Sequence, residues 1–91
     1  METNQAVTAL AALAQASRLD VFRLLVQAGE GGMAAGKISA ATGIAPSSLS
    51  FHLKELSHAG LLKQRQEGRF VIYTANFATA AALVAFLSEH C

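Results

Sequence analysis

The chain has 91 residues, room for one small domain, and 19 of its 48 apolar residues are alanine, which leaves 29 larger side chains for a core. One cysteine excludes an intramolecular disulfide framework, and the longest apolar run, Ala80 to Leu87, is too short to cross a bilayer. The net charge of +1 conceals a division, because Lys37, Lys54, Lys63, Arg65 and Arg69 face only Glu55 and Glu67 within residues 37–75, a net +3, while the remainder carries −2.

Residues 4–15 repeat apolar side chains at Val7, Leu10, Ala11 and Ala14, a helical spacing. Ser17 is placed to cap a second helix, with Asp20 completing a capping-box-like arrangement. Leu19, Phe22, Leu25 and Val26 form that helix's expected buried stripe, and Gly29 stops it. Glu30-Gly31-Gly32 reads as a loop. A short helix follows from about Gly36 to Thr42, with Ile38 and Ala41 on one side and Gly43 at its end. Pro46 then suits a first helical position and Gly60 the left-handed residue past the end of a fourth helix, whose Leu49, Leu53 and Leu56 recur at i, i+4 and i+7. Leu61–Gln66 and Arg69–Thr74 are two extended segments joined by Glu67-Gly68, a hairpin. Asn76 can cap a last helix carrying Phe77, Leu83, Val84 and Leu87.

The order α-α-α-α-β-β-α is that of a winged helix-turn-helix, mainly helical with a small β-hairpin. All 91 residues form one DNA-binding domain: 1–15 and 76–91 are dimerisation helices, 36–60 the helix-turn-helix and 61–74 the wing. The alanine-rich stretches 6–16 and 78–85 suit close helix packing across such a dimer. At about 100° per residue, Leu53 and Leu56 fall within about 40° of Leu49, and Ser47, Phe51 and Lys54 lie roughly opposite. Ser48 and Ser50 flank that outward face. Small hydroxyls near a helix start reach phosphates or base edges, and a phenyl ring suits a thymine methyl. The same ring could instead pack against a neighbouring helix, and the serines could merely start the helix. His52, on the edge of the buried stripe, either braces the helix or touches DNA. Lys37, Arg65 and Arg69 are the expected backbone and wing contacts, although a charged hairpin also serves to prevent edge aggregation.

Two further classes of function remain to be weighed. A winged-helix module that binds protein would account for an exposed Phe51 equally well. An enzyme is disfavoured, since no carboxylate pair, nucleophile–base pair or phosphate-cradling glycine loop has usable spacing. Ser50 and His52 are two residues apart on a helix and point in different directions. Residues 1–16 lack the basic start of a signal peptide, so a cytoplasmic protein without a membrane partner is expected.

Three segments carry a family resemblance. Leu13-Ala14-Gln15-Ala16-Ser17-Arg18-Leu19-Asp20-Val21-Phe22-Arg23-Leu24-Leu25, Ser47-Ser48-Leu49-Ser50-Phe51-His52-Leu53-Lys54-Glu55-Leu56 and the wing from Arg65-Gln66-Glu67-Gly68-Arg69 to Tyr73 resemble the ArsR/SmtB family of bacterial winged-helix repressors. The resemblance implies a homodimer held by its first and last helices, bound to double-stranded operator DNA until an inducer releases it. Metal-sensing members often carry Cys-x-Cys on the third helix, where Lys37-Ile38-Ser39-Ala40-Ala41-Thr42 has no thiol. Zinc sensors use ligand pairs along the last helix, and only Glu89 and His90 stand there, so no zinc site is evident. The end of the chain is most similar to arsenite sensors with terminal cysteines, Cys91 standing at the matching place, which implies As(III) as inducer. Trivalent arsenic takes about three thiolates, so one Cys91 per chain makes an incomplete site. A redox-responsive or ligand-independent repressor of the same fold is the alternative.

Overall fold

The computed structural model describes residues 1–89. Five helices and a three-stranded antiparallel sheet follow in the order α1 (Thr3–Leu13), α2 (Ala16–Ala28), a 3-10 turn (Gly29–Gly31), β1 (Met33–Ala34), α3 (Ala35–Thr42), α4 (Pro46–His58), β2 (Leu62–Glu67), β3 (Phe70–Ala75) and α5 (Phe77–Ser88). This is the expected winged helix-turn-helix with one added strand. No helix among the described residues is long and apolar enough to cross a membrane.

The core gathers Val21, Phe22 and Leu25 of α2, Ile38 of α3, Leu49, Leu53 and Leu56 of α4, and Leu61, Leu62 and Ala75 of the hairpin. The leucine stripe of α4 is buried as its spacing predicts. That of α2 is turned by roughly 60° from the predicted one: Val21 is buried, while Leu19 and Val26 are exposed. The cause is tertiary, because α2 packs against α1, α3, α4 and β3 at once, and those four neighbours choose the face. In α1 the buried residues are Ala6, Ala9 and Ala12, whose small side chains let the backbone approach α2 and α4 closely. Of the larger apolar residues of that helix, Val7 and Leu10 face outward, and Leu13 packs partly against the core.

Two local expectations need correction. The cap of α2 is Gln15, not Ser17: Gln15 is extended (φ −151°), its side-chain oxygen accepts from the Arg18 N–H at 2.9 Å, and Ser17 already lies inside the first turn. The hairpin register places Glu67 opposite Phe70, so the two-residue turn is Gly68-Arg69, one position later than predicted. Gly68 takes φ +61°, which the tight reversal requires.

The strand missed in the sequence is β1, only two residues long, pairing Met33 with Tyr73 and Ala34 with Ile72 to give the sheet order β1-β3-β2. Gly32 makes this pairing possible. Its φ of +64° and ψ of −167° belong to a region essentially reserved for glycine. A Cβ there would run into the Tyr73 carbonyl oxygen and come within 2.6 Å of Thr74 Cγ2 and 2.9 Å of Ile72 Cγ2. The predicted cap of α5 is present, with Asn76 Oδ1 accepting from the Thr79 N–H at 3.3 Å.

Candidate nucleic-acid interface

The helix-turn-helix is built from α3, a three-residue turn and α4. Gly43 ends α3 in the left-handed region (φ +75°), its N–H donating to the Ser39 carbonyl at 2.9 Å. Two hydroxyls lock the turn. Ser39 Oγ donates to the Ile44 carbonyl at 2.6 Å, and Thr42 Oγ1 donates to the Ile38 carbonyl at 2.8 Å while accepting from the Ile44 N–H at 3.2 Å. The angle between α3 and α4 is thus held by side chains as well as by packing. Neither residue stood out in the sequence, although a Ser-x-x-Thr-Gly run at a helix end is a pattern that hydroxyl locking would select.

Pro46 occupies the first position of α4, and no side chain caps the helix behind Ala45. The N–H groups of Ser47 and Ser48 therefore point out of the helix start without intrahelical partners, beside their own hydroxyls. Ser47, Ser48, Ser50, Phe51 and Lys54 are all exposed; Ser47, Phe51 and Lys54 lie on the side of α4 opposite the buried leucines, with Ser48 and Ser50 flanking them. Phe51 keeps 54% of its surface open, with the edge of the neighbouring His52 ring as its aromatic contact at 5.9 Å between centroids.

His52 is half-buried and faces α2. Its Nδ1 lies 3.5 Å from Nη1 of Arg18, whose Nε donates to the Ala12 carbonyl at the end of α1 at 2.6 Å. Arg18 therefore joins α1, α2 and α4 at one corner, and His52 is the α4 side of that joint. Of the two roles open to His52, bracing is the one this geometry supports.

Lys37 stands exposed near the start of α3, and Lys63, Arg65 and Arg69 lie on the wing. Arg69, in the turn at the wing tip, makes no side-chain hydrogen bond among the described residues, and Phe70 beside it is 58% exposed. Arg65, expected to be a wing contact, is exposed and is also held by protein acceptors. Its Nε donates to Glu67 Oε2 at 2.5 Å, Nη1 to the Glu30 carbonyl at 2.9 Å and Nη2 to the Gly31 carbonyl at 2.8 Å. Among the described residues no carboxylate lies within ion-pair range of Lys37, Lys54, Lys63 or Arg69. The +3 of residues 37–75 therefore resides on these four cations against Glu55, since Arg65 and Glu67 cancel.

The sequence profile of the family described as helix-turn-helix domain matches residues 13–65, more than half of the chain. The chain belongs to the helix-turn-helix domain family. Among solved structures it is similar to HlyU from Vibrio cholerae, with 30% identity and a TM-score of 0.76 over 100% of this chain and 99% of that one. It is also similar to the homodimeric winged helix-turn-helix DNA-binding domain of Mycobacterium bovis (29% identity, TM-score 0.77, 92% of this chain and 76% of that one). An ArsR-like transcriptional regulator from Rhodococcus shares the fold at 21% identity, with a TM-score of 0.82 over 92% of this chain and 76% of that one. None of the curated proteins compared with the chain matches it.

In a helix-turn-helix the second helix is the one suited to the major groove, and α4 holds that position here, with the hairpin as the wing beside it. Of the residues expected to meet DNA, Ser47, Ser48, Ser50, Phe51, Lys54, Lys37 and Arg69 are open to solvent, whereas His52 and Arg65 are held by other parts of the protein. Among the described residues, no three or more His, Cys, Asp or Glu side chains gather where a metal ion could bind. Cys91, the expected thiol, lies outside the described residues.

Proposed function

We propose that the chain is a dimeric, sequence-specific DNA-binding transcriptional repressor acting in the cytoplasm. The observation that carries this reading is the two-sidedness of α4. One side buries Leu49, Leu53 and Leu56, and the other exposes short hydroxyls, Phe51 and Lys54 beside an uncapped helix start. The hydroxyls and the helix N-terminus suit phosphates and base edges, Phe51 a thymine methyl, and Lys54 the backbone. Dimerisation is supported by the apolar side chains left open on the terminal helices, with Val7 57%, Val84 65% and Leu87 55% exposed, and by the homodimeric state of the M. bovis domain. A two-fold dimer requires half-sites whose centres are about 34 Å, or a multiple of that, apart.

Selection of duplexes from a random-sequence pool by the purified protein, followed by gel-shift titration, tests this directly. A pseudo-palindromic consensus is expected, and the absence of any enriched duplex would refute it. Phe51 also favours a second reading, a protein-binding winged helix, which predicts salt-insensitive capture of a protein and no retention on DNA.

The inducer we propose is a thiol-directed signal at Cys91, with arsenite first. One chain offers a single thiolate, and a dimer two, where As(III) takes about three. The donor set does not fit a complete arsenic site. DNA binding measured with and without arsenite, for the native chain and for Cys91→Ser, decides between this and a redox-responsive or ligand-independent repressor. Release that persists in Cys91→Ser excludes the thiol.

A further inference from the structure

We infer that Arg65 is a positioning residue for DNA binding, a clamp that fixes the angle of the wing and delivers its tip, rather than a phosphate ligand. The inference rests on the DNA-binding reading above and adds to it which wing residue touches DNA and which aims the wing.

The guanidinium spends one N–H from each of its three nitrogens on protein acceptors. Two of these acceptors, the carbonyls of Glu30 and Gly31, lie at the end of the 3-10 turn that follows α2, 34 and 35 residues away in sequence. Carbonyls at the end of a helical turn lack intrahelical donors, and a planar fork with fixed divergence meets two successive ones well. The turn that offers them is itself held in place. Gly32 packs directly on the Tyr73 carbonyl, and Met33 and Ala34 pair with Tyr73 and Ile72. Ile72 is the cross-strand partner of both Arg65 and Ala34, so the three form one row across the sheet. From this row Arg65 reaches past β3 and ties β2, the outer strand, to the segment just before β1. The outer strand of the wing is thereby fastened to the body of the domain, beside the pairing of β1 with β3.

The third contact serves the interface electrically. Glu67 stands in the last ladder pair before the wing tip, where an unpaired carboxylate would repel a phosphate backbone. The Arg65 pairing neutralises it, so Arg69 at the turn and Lys63 further down β2 act as net positive charges. Lysine could not replace the clamp, because a single ammonium cannot meet three acceptors spread along a guanidinium plane. It could replace a simple phosphate contact, where a point charge suffices.

That asymmetry supplies the test. Binding to a duplex recovered by selection is measured by fluorescence anisotropy between 50 and 200 mM KCl for the native protein, Arg65→Lys, Arg69→Lys, Arg69→Ala and Arg65→Lys/Arg69→Ala. The clamp predicts that Arg65→Lys binds about tenfold more weakly with an unchanged salt slope, while Arg69→Lys stays within about twofold of native. It also predicts that Arg65→Lys loses less once Arg69 is alanine, because the wing then has one contact fewer to aim. Amide exchange in the free protein is a measurement independent of DNA: the Gly31, Gly32 and Met33 N–H groups exchange faster in Arg65→Lys, with the thermal midpoint held within a few degrees. Native affinity in Arg65→Lys, or fully multiplicative losses in the double variant, would overturn the clamp and leave DNA binding standing. A native protein that binds no selected duplex overturns both.

Discussion

Replacing Arg69 by alanine removes the wing-tip cation, which makes no side-chain hydrogen bond among the described residues, and its effect should be electrostatic in a way that can be counted. Four cations within residues 37–75, Lys37, Lys54, Lys63 and Arg69, stand without a carboxylate partner among the described residues. With all four on phosphates a dimer neutralises about eight, and at about 0.9 per contact the slope of log K against log salt is about −7. Between 50 and 200 mM salt the native dimer then loses about 2 × 10⁴-fold in affinity. Arg69→Ala deletes two contacts per dimer, so the slope flattens to about −5.4 and the same change of salt costs only about 2 × 10³-fold. The variant is therefore weaker at low salt and converges toward native as salt rises. Anisotropy titrations of one labelled duplex at five or six KCl concentrations resolve a slope difference of about 1.8. An unchanged slope with reduced affinity would refute the account, because it would mean that Arg69 supports the wing rather than neutralising a phosphate.

Gly32→Ala forces a Cβ onto the Tyr73 carbonyl from a glycine-only backbone region, and should lower the unfolding free energy in urea by about 2–4 kcal/mol at fixed protein concentration; a loss under about 0.5 kcal/mol would show that β1 simply shifts aside. Leu53→Ala opens the core beneath α4, where the side chain is 2% exposed, and should cost about 2–5 kcal/mol by the same measurement. Val84→Glu places a charge on the most exposed large apolar residue of α5 and should weaken self-association roughly a hundredfold in sedimentation equilibrium while the far-ultraviolet spectrum stays native. A dimer that survives this change does not use α5. Ser39→Ala removes the hydrogen bond to the Ile44 carbonyl and should cost about 1 kcal/mol of stability, with weaker DNA binding at an unaltered salt slope.

What could be read in the sequence was whatever one residue type decides locally. Pro46, Gly43 and Gly60 fixed the ends of α3 and α4 because backbone freedom at those positions depends on the residue itself. The leucines of α4 gave the buried side because α4 presents a single apolar stripe. The reading failed where distant partners decide. The burial of α2 is chosen by four neighbours, so Val21 displaced Leu19 and Val26. β1 has two residues and no pattern of its own, and exists because β3 offers it an edge and Gly32 lets it approach. Arg65 looked like any exposed wing arginine, since its partners Glu30 and Gly31 are recognisable only once the 3-10 turn is folded against the hairpin.

Two groups of the apolar side chains that stay outside the core differ in their company. On the terminal helices Val7, Leu10, Phe77, Val84 and Leu87 are open in segments 3–13 and 77–88, which contain no lysine or arginine. On α4 and the wing tip, Phe51 and Phe70 are open beside Lys54 and Arg69. A polyanion is attracted to the second set and gains nothing from the first, whereas a second copy of the chain can bury the first without bringing like charges together. The two surfaces are also coupled by geometry. α1 contacts both α5 and α4, and Arg18 fastens the end of α1 to His52 within α4. In the proposed dimer, the packing of the terminal helices across a two-fold axis would therefore set the separation of the two α4 helices, and with it the spacing of half-sites it could read. A change at that packing that leaves each chain folded but tilts α5 should thus alter the preferred spacer before it alters the half-site sequence, a distinction that duplex selection with variable spacers measures directly.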